Sequence, residues 1–131
     1  MKFTEAFSKL GYHVDVPRQD WSAEKSDGVC ISLWQVEMGL DEQKRPWIDT
    51  RVHANENALW RTKPGNRKRI RHLQRAIDEF GGVVDVVIVH GKPGAGVTDA
   101  APWIPAERKG TRWGISDFDP ETGHFTARIN V

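Results

Sequence analysis

Residues 61–89 read RTKPGNRKRIRHLQRAIDEFGGVVDVVIV, and this stretch predicts a helix followed by a strand. Pro64-Gly65 breaks the segment before it, and Asn66 is a residue type that caps helix N-termini well. From residue 70 to residue 80, apolar side chains recur at spacings of three and four. That spacing is typical of a helix with one face packed against a core.

The same stretch also predicts where the helix ends. Gly81-Gly82 can supply the left-handed residue that terminates many helices. Residues 83–89 are then apolar except for Asp85, which is typical of a strand covered on both faces. The helix and this strand form the unit around which we place the rest of the chain.

Positive charges crowd the first turns of the predicted helix, opposite to the arrangement that the helix dipole favours. No acidic residue lies between Arg61 and Arg71. Free amides at a helix start and clustered guanidinium groups suit a phosphate. The predicted phosphate-binding residues are Arg61, Lys63, Arg67, Lys68, Arg69 and Arg71. The alternative is a solvated basic face without a partner.

Length and composition limit the class of protein. With 131 residues, the chain is predicted to form one domain over residues 1–131. The net charge is only +1, so nucleic-acid binding has to rest on the local cluster and not on bulk charge. The single cysteine, Cys30, excludes an internal disulfide and a multi-cysteine zinc site. No run is apolar enough to span a membrane and no signal pattern is present, so we expect a cytoplasmic protein without a membrane partner.

Outside the opening stretch, alternating or apolar runs predict further strands. These predicted strands are residues 12–16, 29–38, 46–53, 111–118 and 124–131. Residues 3–10 predict a short helix, and residues 29–38 and 46–53 are expected to pair as a hairpin. Residues 111–118 and 124–131 predict a second hairpin closed by Gly123. Residues 90–110 show no periodicity and predict a long loop.

The resulting fold class is α+β. Because most of the strands are linked as hairpins, we expect a mixed, mostly antiparallel sheet. Such a sheet would be curled into a partly closed barrel, with the one long helix packed on it.

Three of the six tryptophans lie in predicted loops, namely Trp21, Trp60 and Trp103. Indole rings near cations are what a protein uses to stack nucleic-acid bases, so these three are the predicted base-stacking residues. The alternative is that each ring covers the small core.

Motifs that carry catalysis are weak in this sequence. Residues 91–96 read GKPGAG after a strand, but they lack the lysine and hydroxyl of a phosphate-binding P-loop. Asp27 and Glu37 are the only pair that we consider for a metal-dependent nuclease, since such centres place carboxylates around magnesium. Otherwise we expect no catalytic centre, no metal and no cofactor.

Several short motifs together resemble a known family. They are Leu33-Trp34, the PGNRxRxxHLxxA pattern of residues 64–76, the VVIV run of residues 86–89 and the closing W…D..TGxF pattern of residues 113–125. This combination is similar to the PUA-like or SRA-like domains found beside HNH nuclease modules in modification-dependent restriction proteins. The resemblance implies a PUA-like barrel that binds nucleic acid around a modified or flipped base, and we expect DNA more than RNA as the partner.

The chain departs from such restriction proteins because His53-Ala54-Asn55 lacks the rest of an HNH metal site. The resemblance therefore implies binding and no catalysis. Our prediction is a nucleic-acid-binding domain without its own catalytic centre. The alternatives are a small nuclease that uses Asp27 and Glu37, and a protein-interaction module. The sequence leaves open whether the protein forms a homodimer.

Overall fold

The computed structural model of the protein describes residues 1–53, 63–93 and 95–130. Its two helices are α1 (Phe3–Lys9) and α2 (Pro64–Phe80). The strands are β1 (Ser22–Lys25), β2 (Gly28–Trp34), β3 (Gly39–Leu40), β4 (Pro46–Asp49), β5 (Val83–Lys92), β6 (Gly96–Pro102), β7 (Arg112–Ser116) and β8 (Thr126–Asn130). Short 3-10 turns occupy Gln35–Glu37, Thr50–His53 and Pro105–Glu107.

The strands form one sheet in the order β1-β2-β5-β7-β8-β4-β3, with β6 paired to β5 beside this path. Only the β2–β5 pair is parallel among the described strands, and the other pairs are antiparallel. The α+β class and the mixed, mostly antiparallel sheet are therefore confirmed. The order ends at β1 and at β3, so the described strands form an open sheet.

Strand β5 holds the sheet together. Along one edge, residues 85–89 pair in parallel with β2. Its other edge is divided, because Val83 and Val84 pair with β7 whereas residues 87–92 pair with β6. The register with β6 shifts between His90 and Gly91. Three strands thus depend on β5 for their backbone hydrogen bonds.

Hydrophobic side chains pack on both faces of β5, as the apolar run predicted. Val84 and Val86 face α2 and join a cluster that includes Leu73 and Trp113. Val87 and Val89 belong to a second cluster with Phe7 of α1. The strand is therefore covered by one helix on each face.

Helix α2 begins and ends close to the predicted residues. Lys63, and not Asn66, is the N-cap, and Pro64 occupies the first turn, where its missing N–H costs nothing. Gly81 is the C-cap with a left-handed φ of 63°, as predicted. No helix within the described ranges is long and apolar enough to cross a membrane.

The buried face of α2 is rotated relative to the predicted apolar stripe. Arg69 and His72 are buried beside Leu73 and Ala76. Ile70 is only half-buried and Ile77 is 36% exposed, so the prediction that both pack in the core is wrong. The reason is that side chains from other segments pack against these two polar residues. Arg69 contacts the rings of Trp21 and Phe125, and His72 contacts Ser22.

Three predictions about strands and loops are wrong. Residues 12–16 form no strand, whereas Ser22–Lys25, predicted as loop, forms β1. Residues 90–110 are also largely ordered, because β5 continues to Lys92 and β6 follows as the second arm of a hairpin. β6 forms because its backbone can pair with the free edge of β5, which its composition of Gly, Ala and Pro does not indicate.

The two predicted hairpins have different outcomes. The expected pairing of residues 29–38 with residues 46–53 is wrong, because β2 already has β1 and β5 on its two edges. β4 instead pairs with β3 and β8. The C-terminal hairpin is confirmed by the antiparallel pairing of β7 with β8.

Candidate nucleic-acid interface

The structure divides the predicted phosphate-binding cluster into two groups. Arg61 lies outside the described residues. Lys63, Arg67 and Arg71 are exposed on the outer face of α2, whereas Lys68 is half-buried and Arg69 is buried. The five cations that the structure describes therefore do not form one uniform site.

Arg69 is part of the packing between α2 and the sheet. Its guanidinium carbon lies 4.9 Å from the centre of the Trp21 ring and 5.0 Å from the centre of the Phe125 ring. Nη2 also donates to Oδ1 of Asn66 at 3.4 Å. Burial lowers the pKa of Arg69 to about 10, with the charge of Glu37 acting in the opposite direction. Arg69 is therefore packed against two rings as part of the fold, and its role in binding phosphate stays a prediction.

Asn66 connects the start of α2 to the segment between β7 and β8. This side chain is fully buried, and Nδ2 donates to the backbone oxygen of Thr122 at 3.0 Å. Gly123 approaches so closely that a Cβ there would meet the Asn66 amide. His124 follows, and its Nδ1 lies 2.9 Å from Oγ1 of Thr50. Residues 122–125 are thus held against the first turns of α2 and against Thr50.

Lys68 is held by two aspartates. Its Nζ lies 2.7 Å from Oδ2 of Asp20 and 3.0 Å from Oδ2 of Asp15. The hydrogen bond to Asp20 raises the pKa of Lys68, and the bond to Asp15 adds to it. Asp20 is buried and also accepts a hydrogen bond from the backbone of Val16 at 3.0 Å. Lys68 therefore fixes the turn of residues 15–20 on α2, and its charge is already neutralised.

Lys63, Arg67 and Arg71 form what we call the cation stripe. Arg67 and Arg71 are four residues apart and lie on one face of α2, and Lys63, the N-cap, precedes Arg67 by four residues. At 1.5 Å per residue, the stripe extends over about 12 Å. Among the residues that the structure describes, none forms an ion pair with these three. The stripe is therefore the part of the predicted cluster that is open to a polyanion.

The three predicted stacking tryptophans also differ. Trp60 lies outside the described residues. Trp103 is 9% exposed, donates Nε1 to the backbone oxygen of Thr111 at 3.0 Å and meets Trp113 edge-on with ring centres 5.5 Å apart. Arg108 lies over its ring, 4.4 Å from the centre. The structure thus gives Trp103 a place in the core, and a base could stack on it only if Arg108 moved aside.

Trp21 is half-buried and lies beside the start of α2. Its backbone oxygen accepts hydrogen bonds from the backbone nitrogen and Oγ of Ser32, at 3.0 and 2.9 Å, which fixes the loop to β2. The indole packs against Gly65 and under Arg69. Its main role in the structure is to hold Arg69, and a stacking role stays a prediction.

A shallow groove lies beside the cation stripe, between α2 and the segment that joins β7 to β8. It is lined by Ile70, Arg71, Gln74, Arg75, Asp78, Glu79 and Pro120. Pro120 is in a rigid turn, because Oδ1 of Asp119 accepts from the backbone of Glu121 at 2.9 Å and the Asp119 backbone oxygen accepts from Gly123 at 2.7 Å. The hydrogen bond from Glu121 lowers the pKa of Asp119.

The structure does not bring Asp27 and Glu37 together. Asp27 is in the turn before β2, and Glu37 is in the 3-10 turn after it. A strand of this length, at about 3.3 Å per residue, separates them by roughly 20 Å. Within the described part of the chain, no three His, Cys, Asp or Glu residues are grouped as a metal site. Asp27 and Glu37 therefore cannot bind one metal ion together, which the nuclease alternative requires.

One polar constellation is not evident from the sequence. Ser22 Oγ lies 2.7 Å from Nδ1 of His72, whose Nε2 lies 3.5 Å from Oε2 of Glu24. Ser22 is 1% exposed and His72 is 5% exposed, so a substrate cannot reach the hydroxyl. The three residues dock α2 on β1. The one sequence signal for this group is that Ser22 and Glu24 are two residues apart, which puts them on the same side of a strand. Because β1 is not predicted as a strand, this signal is missed.

Comparison of the chain with models of protein families, with curated proteins and with solved structures found no match. The function is therefore inferred from the residues themselves.

Proposed function

We propose that the protein is a nucleic-acid-binding domain that holds the sugar–phosphate backbone along α2 and has no catalytic centre of its own. The observation that supports this proposal is the cation stripe of Lys63, Arg67 and Arg71, which is exposed and lacks ion pairs with the described residues. Arginine and lysine in such a row neutralise successive phosphates, and the release of counterions supplies much of the affinity.

The position of the stripe on the helix strengthens the proposal. Cations near a helix N-terminus are unfavourable for the helix itself by about 0.3–1 kcal/mol each. An anion at this end relieves that repulsion and also gains from the helix dipole. The exposed acids of α2, Asp78 and Glu79, lie in its last turn. The charge distribution thus directs a polyanion to the first half of the helix.

The finer parts of this proposal come from the strand pattern of the sequence and from the resemblance to PUA-like and SRA-like domains. They are a partly closed barrel, a preference for DNA and the reading of a modified or flipped base. Of the two predicted stacking tryptophans that the structure describes, Trp21 is half-buried and Trp103 is buried, so Trp21 is the more accessible to a base. These features stay proposals.

The test is a titration of wild type and variants with labelled DNA and RNA at several salt concentrations. Arg67→Ala with Arg71→Ala should weaken binding. The slope of log affinity against log salt should fall by about 0.9 for each duplex phosphate that the variant no longer binds, or by about 0.7 for a single strand. The fold should be unchanged, because both side chains are exposed.

A matched control is Lys9→Ala with Lys92→Ala, which removes two exposed cations from α1 and from the end of β5. This variant has the same net charge as the test variant and should keep most of the affinity and the salt slope. Equally weakened binding in the two variants would show that only bulk charge matters. No affinity of the wild type for any DNA or RNA at low salt would overturn the proposal.

A second candidate, a protein-interaction module, is favoured by one observation. Val36, Leu40 and Val52 are 55%, 67% and 71% exposed, and they lie near one another around β3 and β4. Val36 and Val52 also line a shallow cavity with Trp47. Exposed apolar patches of this kind often mark protein contacts. The same titrations separate the two candidates. Nucleic-acid binding that depends on Arg67 and Arg71 favours the first candidate, and no binding of nucleic acid favours the interaction module.

A further inference from the structure

We infer that the groove between α2 and the β7–β8 segment is a subsite for one unpaired base of a single-stranded nucleic acid. This inference rests on the proposed function and adds the form of the nucleic acid and the place of its base. The site differs from the three tryptophans that the sequence suggested.

The first observation is an apolar side chain on the outer face of α2. Ile70 follows the helical spacing of the predicted core, yet it is half-buried and lines the groove with Pro120. Arg67 precedes it by three residues and Gln74 follows it by four, so both are its neighbours on the helix surface. An aliphatic side chain and a proline ring form two apolar walls against which the flat face of a base can pack.

The second observation is the charge distribution along the groove. Arg71, the last residue of the cation stripe, lies at one end, and Asp78 lies towards the other. Seven residues separate them, which is about 10 Å along a helix. A nucleotide has the complementary polarity, because its phosphate is anionic and its base edge carries amino or imino donors. The phosphate would lie on Arg71 and the base edge would lie towards Asp78.

The third observation is that hydrogen bonds fix the polar walls. Nε2 of Gln74 donates to Oδ1 of Asp78 at 3.0 Å, which leaves Oε1 as the amide atom that can accept from a base. Nε of Arg75 binds Oε2 of Glu79 at 2.5 Å, and its other nitrogens bind the backbone oxygens of Lys25 and Ser26 at 2.9 and 3.0 Å. A groove with fixed walls loses little entropy when it binds a ligand.

The site also decides between single and double strands. In a duplex, bases are stacked and their edges are paired, so a base reaches a side groove only if it leaves the stack at a cost of a few kcal/mol. A single strand already presents its bases. The cation stripe leads into the groove at Arg71, as expected for a backbone that places one base beside the helix.

The experiment compares Ile70→Ser with Ile77→Ser as the matched control, because both replace isoleucine on α2 and Ile77 does not line the groove. With wild type, single-stranded DNA and RNA oligonucleotides should bind more tightly than the duplex of the same sequence. Ile70→Ser should weaken single-strand binding at least about fivefold and leave the salt slope unchanged, since a base contact is apolar. Ile77→Ser should bind like wild type.

Gln74→Ala provides a second test if Ile70→Ser does not fold, since Gln74 is exposed. It should reduce the differences in affinity among oligo-dT, oligo-dC and oligo-dA. Equal binding of duplex and single strand, with Ile70→Ser and Gln74→Ala like wild type, would overturn the subsite while leaving the proposed function intact. No binding of any nucleic acid would overturn both. If the single strands do bind, comparison of the DNA and RNA oligonucleotides shows which sugar the site accepts.

Discussion

Two arginines on the first turns of α2 illustrate how position decides the role of a residue. Arg67 is exposed, whereas Arg69 is packed against the rings of Trp21 and Phe125. The same side chain is therefore available for a ligand in one case and part of the packing in the other. A sequence shows the charge of both but not the two rings, which come from segments far along the chain.

We predict that Arg69→Ala destabilises the protein by about 2–4 kcal/mol. A desolvated cation–π contact contributes about 2 kcal/mol or more, and the removed side chain also leaves a cavity. Urea unfolding measures the effect. Arg67→Ala, two residues away and exposed, is the control and should unfold close to wild type. Similar midpoints for both variants would contradict the role given to Arg69.

A second prediction concerns pH and His72. Burial lowers the pKa of His72 below its ordinary value of 6.5, although the carboxylate of Glu24 opposes the shift. The unfolded chain therefore takes up a proton at a higher pH than the folded protein. His72 leaves the free energy of unfolding unchanged above about pH 6.5, and this free energy falls as pH drops from there through the folded-state pKa.

Urea unfolding between pH 7.5 and pH 5 should thus show a smaller decrease of stability in His72→Gln than in wild type. His124, whose pKa is also lowered by burial, retains part of the dependence in that variant. His13→Gln is the control, because His13 is exposed. A decrease of the same size in wild type and in His72→Gln would contradict the assignment.

At the scale of the element, the position of α2 depends on a glycine as well as on its apolar face, because the glycine allows a close contact with another segment. Gly65 lies in the first turn, and a Cβ there would be 2.7 Å from the Trp21 ring and would also meet the backbone oxygen of Gln19. The close approach allows the loop before β1 to pack on the helix. Alanine has the better helix propensity by about 1 kcal/mol, but the contact excludes its methyl group.

We therefore predict that Gly65→Ala destabilises the protein by about 1–3 kcal/mol, the usual cost of overpacking, despite the gain in propensity. Gln74→Ala, at an exposed position of the same helix, should change stability by less than about 0.5 kcal/mol. Thermal unfolding compares the two. A stabilised Gly65→Ala variant would mean that Trp21 and Gln19 do not pack as described.

The elements that sequence predicts well here are those with local signals. The period of α2, its glycine stop and the turn of the C-terminal hairpin are all contained in short windows. Strand β6 is different, because residues 96–102 have little β-propensity and pair only since β5 extends beyond β7.

The candidate site likewise has a part that local sequence predicts and a part that depends on distant segments. Lys63, Arg67 and Arg71 could be predicted as surface cations, whereas the groove depends on Pro120, which comes from a distant segment of the chain.

At the scale of the whole molecule, one sheet separates two cores. Helix α2 covers the larger core, and α1 covers the smaller one with Tyr12. The hydroxyl of Tyr12 donates to Asp85 at 2.6 Å, and Arg112 binds the same carboxylate at 3.0 Å. These bonds link the smaller core to β5 and β7. The proposed nucleic-acid surface lies on the solvent side of α2, so changes there leave both cores intact.

The parallel pairing of β2 with β5 has a consequence during synthesis on the ribosome. Cys30 pairs with Asp85, so the two partners are 55 residues apart (85 − 30). At a synthesis rate of roughly 5–20 residues per second, β5 is made about 3–11 seconds after β2. During that time α1 and β1 are the earlier elements that can cover its apolar side chains, whereas α2 and β5 are still to be made. The parallel pair at the centre of the sheet therefore forms late in synthesis, and until then the side of β2 that later packs under α2 is exposed to aggregation.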